Sequence, residues 1–238
     1  MRMAVCVNCR HHGLCVHRVA IFSPLSAEES HRVAELIVHK EYHKGDFIMT
    51  EGEQLSRLVI VQEGQVKAFR STADGREQIL YIFSSGDFFG EKNLLRNQPA
   101  SYSVQALVDT CLCMISRSDF QQLLRAHPEI GMKIMEELCR RLERLETAVE
   151  SLGARDGDAR VSSVLLEFAE RYGEEHPRGV LVRLPLSRQG IADYVGLTRE
   201  TVSRKLSSLQ AEGVVELIGN KKLLIIDKTA LEMGSSQD

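Results

Sequence analysis

The 238-residue sequence has no tryptophan, only five prolines, and no internal repeat or low-complexity tract. No apolar run approaches the ~20 residues needed to cross a bilayer, which argues against a helical membrane span. The amino-terminal stretch also lacks the apolar core of a secretory signal and carries arginines and histidines instead. A cytoplasmic protein without a membrane partner is the expectation. An excess of one charge is missing as well. Thirty Lys and Arg stand against 33 Asp and Glu, a net charge of −3, so no basic coat covers the whole surface. The charge is uneven, however. Between residues 183 and 228, eight Lys and Arg stand against five Asp and Glu, a local excess of three. A local basic face matters even on an acidic protein.

What is present is cysteine in small groups. Cys6, Cys9 and Cys15 have the spacing C-x2-C-x5-C, and Cys111 and Cys113 form a second group. A reducing compartment disfavours structural disulfides, and clustered cytosolic cysteines more often bind metal or do redox chemistry. Four thiolates can hold a [4Fe–4S] cluster or tetrahedral zinc, and spacing alone does not separate the two. Thiol–disulfide switching between an amino-terminal cysteine and Cys111 or Cys113 is a third reading. Cys139 falls in a helical pattern and reads as a small packing hydrophobe. His11, His12 and His17 read as solvated neighbours of the first group.

Length and a 43% hydrophobic content suffice for two domains with real cores. Residues 16–40 read as a helical entry, with Ser26 and Glu29 forming a capping box for a helix running toward 34–38. From 41 to 116, Gly-containing turns recur between short β-rich runs at 47–49, 58–61, 66–69, 78–83, 103–106 and 111–115. Such spacing suggests an antiparallel sandwich or barrel, and a jelly roll closes its edges well. Beyond 116 the pattern is helical. Met135, Leu138, Leu142, Leu145, Val149 and Leu152 repeat at alternating spacings of three and four. That is a heptad seam suited to pairing with a copy of itself, with Arg140, Arg141, Glu143, Arg144 and Glu146 on other faces. A hinge is expected at 153–157, then a helix at 160–172 with Val161, Val164, Leu165 and Phe168 on one side.

Residues 186–213 carry a second signal. Ser187 and Thr198 can each cap a short helix, and Gly196 between them can take positive φ. Two short helices joined by a tight Gly-containing turn make a helix-turn-helix. Arg188 lies in the first helix. Arg199, Glu200, Ser203, Arg204 and Lys205 are expected on the outer face of the second. Arg grips guanine O6 and N7, and Glu accepts from cytosine N4. Apolar runs at 214–218 and 223–226 flank a turn with Lys221 and Lys222, which reads as a wing whose lysines lie near a phosphate backbone.

The chain resembles the Crp–Fnr superfamily of transcription regulators from about residue 20 to 228. The resemblance is carried by the roll glycines, S-G-D-F-F-G-E at 85–91, the long helix, and L-S-R-Q-G-I-A-D-Y-V-G-L-T-R-E-T-V-S-R at 186–204. It implies an α+β fold: a double-stranded β-helix of the cyclic-nucleotide-binding type, a long dimerisation helix, and a winged helix-turn-helix. Expected divisions are a cysteine-rich sensor segment (1–19), the roll (20–125), the dimer helix (126–153) and the DNA-binding domain (154–238). Members that sense cyclic AMP carry an Arg-Ser pair after the Gly-Glu of the phosphate cassette. Here Gly90-Glu91 is followed by Pro99-Ala100-Ser101-Tyr102, without that arginine. The cysteines resemble the Fnr branch, whose pattern implies Cys6, Cys9, Cys15 and Cys113 as ligands of a [4Fe–4S] cluster, with Cys111 the competing fourth position. The implied protein is a homodimeric, oxygen- or redox-responsive regulator of double-stranded DNA that works with RNA polymerase. Its expected site is an inverted repeat of TTGA-type half-sites. A cupin-like metalloenzyme on the same roll is the alternative from another class. Against it, the roll has no set of histidines and carboxylates at ligand spacing, and His43 stands alone.

Overall fold

The computed structural model describes residue 16 and residues 19–96, 98–154 and 157–235. Cys6, Cys9, Cys15, His11, His12 and His17 lie outside the described residues. The capping box forms as the sequence predicts. The Ser26 hydroxyl oxygen accepts from the Glu29 amide at 3.3 Å, and the Glu29 carboxylate accepts from the Ser26 amide at 2.8 Å. Helix α1 (Ala27–Glu35) stops short of the expected span. Val38–Tyr42 instead forms strand β1, paired antiparallel with the last strand of the roll.

The roll continues with β2 (Phe47–Met49), β3 (Arg57–Glu63), β4 (Gln65–Ser71), β5 (Glu77–Ser84) and β6 (Phe88–Phe89). Helix α1 is followed, after β6, by the short helix α2 (Glu91–Arg96), then β7 (Ser103–Ala106) and β8 (Thr110–Ser116). These strands make two four-stranded sheets, ordered β1-β8-β3-β6 and β2-β7-β4-β5. Period-two alternation decides what each strand residue meets. Val59, Val61, Leu112 and Met114 of the first sheet pack with Met49, Val66, Ala68 and Val104 of the second. Leu58, Ile60, Cys113 and Ile115 point to the opposite face. There they join Val16, Phe22, Phe120, Ile130 and Ile134 in a separate core.

Ser116 caps helix α3 (Arg117–Ala126), accepting from the Asp119 amide at 3.2 Å. Helix α4 (Pro128–Ala154) is the long one, 27 residues. Along it Met135, Leu142 and Leu145 are 52%, 55% and 39% exposed. Leu138 packs partly against the roll's outer core. Val149 and Leu152 continue the helix. Two expectations change here. Cys139, expected to pack on the long helix, is exposed on this chain, and Arg141, expected on a face other than the seam, is buried. Gly153 is still helical, so the expected hinge does not begin there.

Helix α5 (Gly157–Tyr172) buries Val161, Val164, Leu165 and Phe168, as its periodicity predicts. It leads into β9 (Gly173–His176) and β10 (Gly179–Arg183), a hairpin absent from the sequence reading. Helices α6 (Arg188–Val195) and α7 (Arg199–Ala211) follow, then β11 (Val215–Ile218), β12 (Lys222–Ile225) and helix α8 (Lys228–Ser235). The sheet order is β11-β12-β10-β9. Two compact units result: Met1–Arg70 with Leu80–Leu142, and Ser71–Ile79 with Glu143–Asp238. Among the described residues no helix is long and apolar enough to cross a membrane.

Candidate nucleic-acid interface and sensor site

The two helices of the C-terminal unit are bounded as their caps require. The Ser187 hydroxyl oxygen accepts from the Gly190 amide at 3.2 Å, and that of Thr198 accepts from the Thr201 amide at 3.2 Å. Gly196 closes α6 at φ 71° and ψ 38°, a left-handed conformation that costs a residue without a side chain little. The chain can therefore turn within three residues and start α7. Val202, Leu206 and Leu209 of α7 are buried. Opposite them Arg199, Glu200 and Arg204 are exposed, with Ser203 half-buried beside them. These four share one face at helical spacing.

Lys205 departs from its expected place. Its side chain is only 14% exposed, and its ammonium lies 3.4 Å from Asp158 at the start of α5. It ties the second helix to the unit's core and does not join the outer face. Ser187 and Thr198 are exposed, but their hydroxyls are engaged as caps. Arg188 is half-buried in the first turn of α6. The hairpin β11–β12 forms the expected wing, with Ile218 paired to Lys222 around Gly219, which has φ 65°. Lys221 and Lys222 are exposed at its tip. Among the described residues Arg199, Arg204, Lys221 and Lys222 make no ion pair, so these four cations are open to an anionic partner.

Beneath the helix pair, Tyr194 of α6 donates its hydroxyl to the Glu167 carboxylate at 3.0 Å. Burial pushes the Glu167 carboxyl up, and the Tyr194 hydrogen bond and Arg171 oppose that shift. Arg160 of α5 donates to the Val195 carbonyl at 3.1 Å, at the end of α6. Helix α6 therefore stands on a polar as well as an apolar base.

In the roll, β8 places Cys113 opposite His39 of β1 and Ile60 of β3. The β3–β8 register shifts between Val61 and Glu63, and the intervening Gln62 turns toward both cysteines. Its Oε1 lies 3.2 Å from Cys111 Sγ and 3.5 Å from Cys113 Sγ, and His39 Nδ1 is 3.4 Å from Cys113 Sγ. The two cysteines thus share a face, as a two-residue strand step requires. Cys113 is 1% exposed in the same core as Val16, the residue that follows Cys15. Cys111 is half-buried and outside that core. Among the described residues no group of three His, Cys, Asp or Glu is arranged to hold a metal ion.

The phosphate-cassette segment is occupied by the chain itself. Glu91 is 1% exposed and pairs with Arg141 of α4, Nη1 to Oε1 at 3.2 Å. Arg141 Nη2 donates to the Phe88 carbonyl at 2.7 Å. Burial pushes the Glu91 carboxyl up, and the Arg141 guanidinium opposes it. Sequence reasoning missed Arg141 because a heptad flank normally faces water.

Comparison with known proteins matches two segments of the chain. Residues 39–127 match the cyclic nucleotide-binding domain family, and residues 159–233 match the Crp-like helix-turn-helix domain family. The chain is 32% identical to the cAMP-activated global transcriptional regulator CRP of Pasteurella multocida, over 76% of this chain and 87% of that one. It is 27% identical to the transcriptional activator protein FnrL of Cereibacter sphaeroides, over 98% and 93%. Among solved structures, FixK2 from Bradyrhizobium japonicum superposes with a TM-score of 0.75 at 28% identity, covering 85% of this chain and 98% of its own. With a cyclic-nucleotide-type roll, a long helix and a winged reader in one chain, the protein belongs to the Crp/Fnr family, whose members are DNA-binding transcription regulators and not enzymes.

Proposed function

We propose that this regulator responds to oxygen or redox state through a [4Fe–4S] cluster held by Cys6, Cys9, Cys15 and Cys113. In this reading it binds an inverted repeat of TTGA-type half-sites as a homodimer, in the cytoplasm, where RNA polymerase is its partner. The observation that carries the reading is the position of Cys113. Its thiol is buried in the same core as Val16, the residue after Cys15, which supports a site shared by the two cysteine groups. When bound, such a cluster supplies an oxygen-labile centre on four thiolates. Cys111, which shares Gln62 with Cys113, is the competing fourth position.

The chain's own residues carry the consequence. Val16, Val19, Ile21 and Phe22 pack in one core with Ile130 and Ile134 of α4. A ligated amino-terminal segment therefore bears on the helix that presents Met135, Leu142 and Leu145. Loss of the thiolate ligation would release the segment that precedes Val16, and a differential contact is what a signal needs to shift two states. At the other end Arg204 is suited to grip guanine, Glu200 to accept from cytosine, and Arg199 and Ser203 to hold a base or phosphate. Lys221 and Lys222 of the wing, with the α6 amino-terminal turn at Ser187 and Arg188, supply sequence-independent phosphate contacts. Thr198 caps the reading helix, and Lys205 holds it to α5.

Mobility shift on a TTGA-type inverted repeat tests this directly. Anaerobically purified protein should bind, and brief exposure to air should weaken binding. Equal binding in both conditions would show that the cysteines do not report oxygen to the DNA-binding unit.

A further inference from the structure

Arg141 spends all of its polar reach inside the protein. Besides Glu91 and the Phe88 carbonyl, its Nε donates to Glu137 Oε1 at 3.2 Å. Its guanidinium also lies over the rings of Phe83 and Phe88, 5.2 and 4.6 Å from their centroids. The side chain is 9% exposed. Glu91 Oε2 is buried with no hydrogen-bond partner among the described residues. The carboxylate is thus held mainly by one guanidinium, and a buried carboxylate left without its cation is strongly unfavourable.

The position of this clamp gives it a consequence. Glu91 is the carboxylate of the Gly-Glu cassette, the segment where a nucleotide-dependent relative would keep its ligand. Arg141 comes from α4, and Leu142, the next residue, is exposed on the seam. One helix step is about 100°, so fixing Arg141 inward fixes Leu142 outward.

We propose that Arg141 is a built-in occupant of the nucleotide cassette: it closes that site to cyclic nucleotides and sets the rotation of the long helix that a bound ligand would otherwise set. Arg141 acts as a positioning residue. Its guanidinium fork reaches the Glu91 carboxylate and the Phe88 carbonyl at once, which a lysine's single ammonium cannot do from the same backbone position. The proposal uses none of the cysteines, so it stands or falls separately from the cluster.

The experiment compares wild-type protein with an Arg141→Leu/Glu91→Leu double variant and with Arg141→Lys. Replacing a buried ion pair by apolar residues is often neutral for stability, so the double variant should melt near the wild-type temperature. DNA affinity is measured on the repeat that wild-type protein selects, in whichever of the anaerobic and air-exposed forms binds more tightly. Both variants should bind on the order of tenfold more weakly, the scale of a typical coupling between sites. Titration of wild-type protein with cyclic AMP and cyclic GMP should give no binding heat. Folded variants with wild-type DNA affinity would overturn the proposal, as would saturable cyclic-nucleotide binding by the wild-type chain. If the double variant does not fold, Arg141→Lys alone decides between these results.

Discussion

Tyr194 on α6 donates its hydroxyl across to both carboxylate oxygens of Glu167 on α5, at 3.0 and 3.1 Å. The bond joins the first helix of the reader to the helix beneath it. Burial raises the Glu167 pKa, and the Tyr194 bond is the largest influence lowering it. A carboxyl raised in the folded state contributes its full stability below its unfolded value and loses it as pH rises through the folded value. Tyr194→Phe removes the group that eases the charged form. It should cost about 1–3 kcal/mol at neutral pH and less below the ordinary glutamate value of 4.5. Thermal unfolding on both sides of that value checks the sign. A cost that grew on acidification would contradict the assignment.

The exposed seam of α4 makes a prediction about assembly. Leu142→Asp would place like charges at the centre of a paired helix. Sedimentation should then find monomer, with specific DNA binding lost. A variant that remained dimeric would mean that this face does not pair with a copy of itself.

DNA readout separates three cations. Arg204→Ala should cost on the order of 1–3 kcal/mol and relax discrimination at one guanine. Lys222→Ala should weaken all sequences alike and lower the salt slope by about one. Lys205→Ala should leave the salt slope unchanged and lower the melting temperature, because its partner is Asp158 and not a phosphate. Selection of binding sites from a random pool, followed by salt titration, measures all three. An Arg204→Ala protein with unchanged base preference would remove α7 from the reading role.

Much of this was legible because the signals were local. Ser26 with Glu29, Ser187, Thr198 and Gly196 each act within one helical turn, and each forms the cap or stop its residue type favours. Strand β1 was hidden because Val-His-Lys-Glu-Tyr mixes polar and apolar residues, and its strand partner, β8, is about seventy residues away in the chain. The β9–β10 hairpin was hidden for a similar reason, since Gly-Glu-Glu-His has no apolar face. Lys205 and Arg141 were misjudged because a charged residue on a helix is assigned to solvent by default. Only the fold brings Asp158 to the first and Glu91 to the second. The apolar spacing of α4 does not say that Leu138 turns partly to the roll while Met135 and Leu142 stay outside.

The central claim is that Cys113 completes a four-cysteine iron–sulfur site with Cys6, Cys9 and Cys15. Iron and labile-sulfide assay of anaerobically purified protein tests it most directly, run on the wild type and on single Cys→Ser variants at positions 6, 9, 15, 111, 113 and 139. The wild type should be brown, with about four iron and four sulfide per chain. Substitution of Cys6, Cys9, Cys15 or Cys113 should abolish both, and substitution of Cys139 should change neither. A colourless wild type, or a cluster that survives Cys113→Ser and is lost in Cys111→Ser, would contradict the account.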